Sequence, residues 1–175
     1  SINKLSEFQV IYIMFQIFRA LIYCHNTHHL VHRDIKPENI VVFRKNNAME
    51  DLYDVKLIDF GISKIFNKVE KNNDNRIKGS LNYIAPEVLD GKYNEKCDMW
   101  SLGVTLYHIY FGNTPYNTEY DIDSIMDKIY SDNFIYDFSG IPTLDILFKR
   151  LLELNPEKRM THEEFYEYVN RFKFG

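Results

Sequence analysis

The sequence predicts a mainly α-helical (α+β) domain, a helical bundle with short β-hairpins that carry polar loops. Apolar residues recur at the spacing of amphipathic helices, or form mostly apolar helical runs, over about 5–25, 98–110, 121–131, 143–154 and 161–171. Short runs rich in β-branched residues follow the first of these segments, at 30–32, 40–43 and 55–58. No internal repeat or low-complexity linker divides the 175 residues, so we expect one domain.

The first predicted helix, at 5–25, begins at Ser6, a residue type that caps helix N-termini, followed by Glu7. Apolar residues extend around much of its circumference. This pattern favours a helix packed in the core over one that presents a groove to a partner. Residues 25–29 are polar and predict a turn.

Two of the predicted strands, at 40–43 and 55–58, are joined by a polar insert at 44–54 and should form a hairpin. The hairpin would bring Asp59, which follows its second strand, back beside Asn39, which precedes its first. The strand at 30–32 leads into the same polar loop.

Residues 62–82 are charged, Asn-rich and without periodicity, which predicts a long mobile loop with a functional role, or else a solvated linker. The segment from Asp98 to Tyr110 is apolar nearly all round and is followed by Gly112, a residue typical of helix C-termini. We therefore expect this segment to be the central buried helix.

Composition excludes several classes of protein. The net charge of −4 argues against sequence-independent nucleic-acid binding, which needs a basic face. Cys24 and Cys97 lie apart within apolar helical patterns, so we expect buried thiols in a reducing, cytoplasmic compartment rather than a disulfide or zinc site. No apolar run is expected to span a membrane and no secretory leader is recognised. A chain that begins with Ser1 is expected to be a piece of a longer protein, and we expect a monomer.

The polar loop has the sequence His32-Arg33-Asp34-Ile35-Lys36-Pro37-Glu38-Asn39. Pro37 disfavours helix at Lys36, so these residues should form a loop between strands. Asp34 can accept a proton, Lys36 can neutralise a phosphoryl oxygen, and Asn39 and Asp59 can hold a divalent cation. The alternatives are structural: Asp34 as a turn former or cap and Asn39 as an Asx turn.

Further motifs follow this loop in order: Asp59-Phe60-Gly61, Ala85-Pro86-Glu87, Asp98-Met99-Trp100-Ser101-Leu102-Gly103 and an arginine at 159. Each motif alone is weak, but their order and spacing make a chance match improbable. Together they resemble the C-terminal lobe of a eukaryotic protein kinase. The resemblance covers essentially the whole chain, 1–175, from the first long helix of that lobe to its last.

The resemblance implies ATP and Mg²⁺ as cofactors and a role for each polar residue. Asp34 would accept or orient the proton of the substrate hydroxyl, and Lys36 would stabilise the transferred phosphoryl group. Asn39 and Asp59 would ligate magnesium at the ATP phosphates. Ser80 would bridge Asp34 and Lys36 and so fix the substrate site.

Structural roles are implied as well. His32 would pack on Phe60, and Asp98 would cap the backbone of the polar loop from the central helix. Glu87 would form a buried ion pair with Arg159.

Substrate class follows from the same resemblance. The lysine two residues after Asp34, Lys36, resembles the lysine that Ser/Thr-specific kinases have at this spacing. Residues 79–89 resemble the calcium/calmodulin-dependent group, which includes calcium-dependent kinases of protists and plants. The resemblance also implies that Lys36, Glu38, Asn39 and Asp59 bind the cofactor. In such kinases the glutamate at the position of Glu38 often faces a substrate arginine. Protein substrates with Ser or Thr acceptors in a basic context are therefore expected.

Arg33 precedes Asp34, as in kinases whose Arg pairs with a phosphorylated loop residue. No Ser, Thr or Tyr lies between Ser63 and Ser80, so that span offers no phosphate acceptor. We therefore hypothesise that Glu70 or Asp74 supplies a permanent negative charge to Arg33.

The N-terminal lobe of a kinase is absent from the sequence: there is no Gly-rich loop, and no strand Lys with its helix Glu partner. Three interpretations remain open at this point. The chain is the catalytic lobe of an active Ser/Thr kinase, a half-kinase that works as a non-catalytic binding or scaffold module, or a fragment from an incomplete gene. The first is favoured because the polar groups of the loop are intact.

Overall fold

The computed structural model describes residues 5–44, 53–61, 64–65, 81–89, 91, 93–116, 122–131 and 139–172. Six helices lie in this part of the chain: α1 (Glu7–Ile22), α2 (Pro86–Leu89), α3 (Lys96–Phe111), α4 (Ile122–Ile129), α5 (Pro142–Leu151) and α6 (His162–Val169). Four strands accompany them: β1 (Leu30–Val31), β2 (Ile40–Arg44), β3 (Tyr53–Leu57) and β4 (Lys64–Ile65). The expectation of a mainly helical fold with short strands is confirmed for these residues. The predicted loop at 62–82 lies mostly outside them, as do Ser80, Glu70 and Asp74.

Helix α1 begins where the sequence predicts. The Ser6 side chain accepts a hydrogen bond from the Gln9 amide at 3.2 Å, and the Gln9 side chain accepts one from the Ser6 amide at 2.8 Å. The helix ends at Ile22 and continues as a π-helical turn, Tyr23–Thr27. The expectation of a polar turn at 25–29 is wrong for its first residues, because the π-helical turn continues to Thr27. His25 within it is only 4% exposed, and its ring pairs with the buried Asp98.

The segment Glu7–Thr27, 21 residues long, meets the length and composition of a membrane-crossing helix, contrary to the expectation that no run would. Half of its most apolar window is buried within the fold. The core helix of a soluble protein passes the same test, so this match is weak evidence. The buried residues of α1 account for the hydropathy: Val10, Ile11, Ile13, Met14, Ile17, Phe18 and Leu21.

The predicted hairpin is confirmed as the antiparallel pair β2–β3, in register from Ile40↔Leu57 to Arg44↔Tyr53. The Gln16 side chain on α1 holds β3 through the Tyr53 carbonyl at 2.8 Å and the Val55 amide at 3.1 Å. A second antiparallel pair, β1–β4, was not predicted because its strands have two residues each.

Helix α3 is the central element, as the sequence predicts, and its residues from 97 to 107 are all buried. It separates two hydrophobic clusters. One contains Leu106 with residues of α1, α5 and α6, and the other contains Trp100 with residues of β1 and α4. The helix ends at Gly112, whose φ of 83° is left-handed and favours glycine.

A buried ion pair joins Glu87 on α2 to Arg159, which precedes α6. The guanidinium donates to both carboxylate oxygens, from Nη1 at 2.5 Å and from Nη2 at 3.0 Å. It also donates to the Lys96 and Glu153 carbonyls, each at 2.9 Å. This pair confirms the expected partnership and ties α2 and the segment before α6 to the start of α3. Both cysteines are buried free thiols, as expected.

Close packing of α3 on α5 depends on Gly103. A Cβ at this position would lie 2.8 Å from Leu151 Cβ and 3.1 Å from Leu152 Cδ2. Both neighbours are buried, so neither can move away without disturbing the core.

We expect Gly103→Ala to lower the free energy of unfolding by about 1–3 kcal/mol, because the added methyl group overpacks the contact of α3 with α5. Helix propensity alone would raise it by about 1 kcal/mol. Denaturant unfolding of the two proteins therefore separates the explanations by sign. A stabilised variant would contradict the close contact.

Candidate active site

Asp98 holds the polar loop from the core side. This carboxylate is fully buried on α3 and accepts hydrogen bonds from the His32 amide at Oδ2 and from the Arg33 amide at Oδ1, each at 2.8 Å. Thr105, two turns further along α3, donates its hydroxyl to the Ile35 carbonyl at 3.2 Å. The loop backbone is thus fixed to the central helix at three points, and the predicted cap by Asp98 is confirmed.

The structure brings together three of the predicted site residues. Lys36 Nζ lies 2.8 Å from Asp34 Oδ2, and Asn39 Nδ2 donates to Asp34 O at 2.8 Å and to Asp34 Oδ2 at 2.9 Å. The Asp34 side chain keeps 12% of its surface exposed. The carboxylate is therefore oriented by an ammonium and an amide and keeps a small exposed area.

Asp59 follows the hairpin, and the Ile58 amide donates to the Asn39 carbonyl at 2.9 Å, so the chain places Asp59 next to Asn39 as predicted. Its φ of 60° is left-handed. Asp59 Oδ1 accepts from the Gly61 amide at 3.0 Å, and a Cβ at position 61 would lie 2.9 Å from the same oxygen. Glycine at 61 therefore leaves space for this carboxylate.

The donor set suits a hard divalent cation. Both amide hydrogen bonds of Asn39 leave from Nδ2, so its Oδ1 faces no donor among the described residues. Asp59 Oδ2 likewise faces no donor among the described residues. Mg²⁺ prefers one or two such oxygens supplemented by phosphates and water. The described part of the chain holds no cluster of three or more His, Cys, Asp or Glu able to bind a metal.

His32 connects the two loops of the site. Its ring packs edge-on against Phe60 at 4.6 Å between centroids, as expected. Nδ1 accepts from the Asp34 amide at 3.3 Å and Nε2 lies 3.2 Å from the Ile58 carbonyl, an arrangement that needs a neutral ring protonated at Nε2. Burial lowers the pKa of His32, consistent with that neutral form.

Sequence reasoning missed a further layer behind Asp98. His25 Nε2 donates to Asp98 Oδ2 at 2.7 Å, and His25 Nδ1 lies 3.0 Å from Nε2 of His162 on α6. His162 lines an open cleft of about 530 Å³ on this side of the fold. No local pattern predicts a contact between residues 137 positions apart.

Stability should depend on pH through His162. Burial, and then the neighbouring His25 ring, lower the pKa of His162 below its ordinary value of 6.5, although Glu95, Glu163 and Asp98 oppose the shift. The unfolded chain therefore binds a proton first as the pH falls. We expect the free energy of unfolding to decrease as the pH drops below about 7 and through the folded pKa.

Replacing His162 by Gln should reduce this slope between about pH 7 and 5.5, while His32 retains its own contribution. Thermal unfolding across that range measures the effect. The matched control is His28→Gln, at an exposed histidine. An equal slope in the His162 variant and the parent protein would contradict the assignment.

Comparison with known proteins identifies the family. The family described as "Protein kinase domain" matches residues 1–169, so the chain belongs to the protein kinase family. Calcium-dependent protein kinase 5 of Plasmodium berghei (strain Anka) is 34% identical over 179 residues, covering 96% of this chain and 30% of that protein. Calcium-dependent protein kinase 4 of Plasmodium falciparum (isolate 3D7) is 41% identical over 137 residues, covering 77% and 24%.

The SNF1-like protein kinase ssp2 of Schizosaccharomyces pombe is also similar, at 35% identity over 154 residues, covering 85% of this chain and 24% of that protein. The resemblance to calcium-dependent kinases, predicted from residues 79–89, is confirmed as a similarity of sequence. The chain spans less than a third of the length of these relatives.

Proposed function

We propose that this chain is the C-terminal lobe of a protein serine/threonine kinase, which transfers the γ-phosphoryl group of ATP to Ser or Thr of protein substrates. The observation that carries the proposal is the hydrogen-bonded cluster of Asp34, Lys36 and Asn39, with Asp59 placed beside it by the hairpin. Phosphoryl transfer depends on the placement of charge more than on covalent chemistry, and this cluster supplies a carboxylate, an ammonium and an amide in fixed positions.

Asp34 is the group that accepts or orients the proton of the substrate hydroxyl. Its contacts with Lys36 and Asn39 fix the carboxylate before any substrate arrives, which avoids the cost of ordering it during the reaction. Lys36 also stabilises negative charge on the transferred phosphoryl group through its ammonium. Its side chain is 19% exposed and is therefore accessible to that group. Ser80 lies outside the described residues; by resemblance to the family we propose that it bridges Asp34 and Lys36.

Asn39 and Asp59 would hold Mg²⁺ through the side-chain oxygens that face no donor among the described residues. When bound, the cation offsets negative charge on the ATP phosphates. Glu38 stands next to Asn39 at the exposed edge of the loop. Glu38 contributes to cofactor binding and recognises a basic residue of the substrate.

A second lobe should cover the hairpin. Large apolar side chains are between 41% and 51% exposed on β2 and in the residues that follow β3: Val42, Phe43, Ile58 and Phe60. Exposed apolar groups concentrated in one hairpin are typical of a region that packs against another body. We assign residues 1–175 to the C-terminal lobe on this basis and propose that an N-terminal lobe completes the nucleotide cleft. Both cysteines are free thiols, which supports an intracellular, cytoplasmic site of action.

The decisive assay is ATP- and Mg²⁺-dependent phosphorylation of a Ser peptide by the full-length protein. We expect Asp34→Asn to lower kcat by about 10²–10⁴-fold, because the carboxylate that takes the proton is lost. Asp123→Asn, at an exposed carboxylate on α4, is the matched control and should leave kcat unchanged.

The isolated chain should be inactive in the same assay, since half of the cleft is missing. A full-length protein that binds partners but shows no phosphotransfer would instead identify a binding or scaffold module. Activity in the isolated chain would contradict the need for a second lobe.

Glu38 should make the enzyme prefer basic peptides. On a peptide array, replacing upstream Arg residues by Ala should weaken phosphorylation by the full-length protein, because a carboxylate–guanidinium contact is lost. Glu38→Gln should reduce the same preference, while Glu157→Gln, at an exposed carboxylate before α6, should not. An array without any loss on Arg replacement would contradict the prediction.

A further inference from the structure

Arg33 is a residue of the polar loop that takes no direct part in the proposed reaction, yet the structure holds both its backbone and its side chain. Its φ of 67° is left-handed, a conformation that an arginine adopts rarely and keeps only when its surroundings fix it. The Arg33 amide donates to Asp98. The guanidinium donates from Nη1 to the Tyr93 hydroxyl at 3.2 Å, and its central carbon lies 6.0 Å from the centroid of the Tyr93 ring.

Both anchors come from one short segment. Tyr93 precedes α3 by three residues and Asp98 lies in the first turn of that helix. This segment therefore binds the backbone of Arg33 through the Asp98 carboxylate and the side chain of Arg33 through the Tyr93 hydroxyl. Because Asp34 is the next residue, a change in the backbone of Arg33 would reorient the carboxylate that the reaction needs.

Pairing with a phosphorylated residue is another way in which the Arg33 side chain could be held. The sequence has no Ser, Thr or Tyr between Ser63 and Ser80, so no phosphorylated residue of that span can pair with Arg33. A tyrosine contributes a hydrogen bond and a cation–π contact without any modification. Both contacts are made by unmodified side chains of the described chain.

We propose that Tyr93 is a positioning residue for phosphoryl transfer, which fixes Arg33 and through it Asp34 without a phosphate in that span. This inference rests on the proposed kinase activity. Tyr93 does not touch the reacting atoms in this assignment. Its effect passes through the guanidinium and the strained backbone of Arg33.

The test is a double-mutant cycle in the full-length protein, read as kcat and KM for a Ser peptide. Tyr93→Leu should lower kcat by about tenfold with little change in the KM for ATP, and Tyr93→Phe, which keeps the ring, should lose less. In an Arg33→Leu background, Tyr93→Leu should add less than about twofold. Tyr23→Leu, at a tyrosine 59% exposed, is the control.

An equal loss from Tyr93→Leu in both backgrounds would overturn the proposal, because the tyrosine would then act independently of Arg33. An unchanged kcat in Tyr93→Leu would overturn it as well.

Amide hydrogen exchange separates this inference from the kinase proposal. Tyr93→Leu should speed exchange in residues 32–36 but not in the buried part of α3, and Tyr23→Leu should change neither. Unchanged exchange at 32–36 would overturn the positioning role even in a protein without activity. A parent protein that shows no phosphotransfer would overturn the kinase proposal, while the exchange result still decides the role of Tyr93.

A phosphatase treatment tests the independence from loop phosphate. The treated protein, with phosphate removal verified by mass spectrometry, should retain its kcat. A loss of kcat that incubation with ATP restores would overturn this part of the proposal.

Discussion

The site depends on one buried carboxylate. Asp98 is fully buried, and a charge in that position is tolerated only when donors surround it. It has three described donors: the amides of His32 and Arg33 and the ring of His25. The packing of α3 between two hydrophobic clusters fixes Asp98 in space, Asp98 fixes the loop backbone, and the loop presents Asp34. The position of the Asp34 carboxylate is thereby determined by the core of the domain.

The buried ion pair of Arg159 with Glu87 is a second constraint of this kind. A buried ion pair adds little net stability over well-packed apolar residues, because desolvation offsets the attraction, but removing one partner costs roughly 3–5 kcal/mol. Arg159 is 1% exposed and also donates to the Lys96 carbonyl at the start of α3. The pair therefore specifies where α2 and the segment before α6 attach to the start of α3.

Sequence reasoning worked where the signal is local. The Ser6 cap, the Gly112 terminus and the hairpin were predicted from residues adjacent in sequence, and Asp34, Lys36 and Asn39 lie within six residues of one another. Contacts that join distant residues have no periodic pattern and could not be predicted. The β1–β4 pair, the π-helical turn after Ile22 and the contact of His25 with His162 arise from tertiary packing, which no local propensity encodes. Helix α2 has four residues, too few for a periodic signal.

The two halves of the site differ in how firmly the fold holds them. Asp34 and Asn39 are joined by hydrogen bonds to each other and to a loop fixed on α3, so their geometry exists before any ligand binds. Asp59 is exposed, has a left-handed backbone, and has its described side-chain hydrogen bond with Gly61, two residues away. Its neighbours Ile58 and Phe60 are also exposed. The position of Asp59 therefore depends less on the helical core than that of Asp34 does. Under the proposed function, cofactor binding would order Asp59 while Asp34 stays fixed.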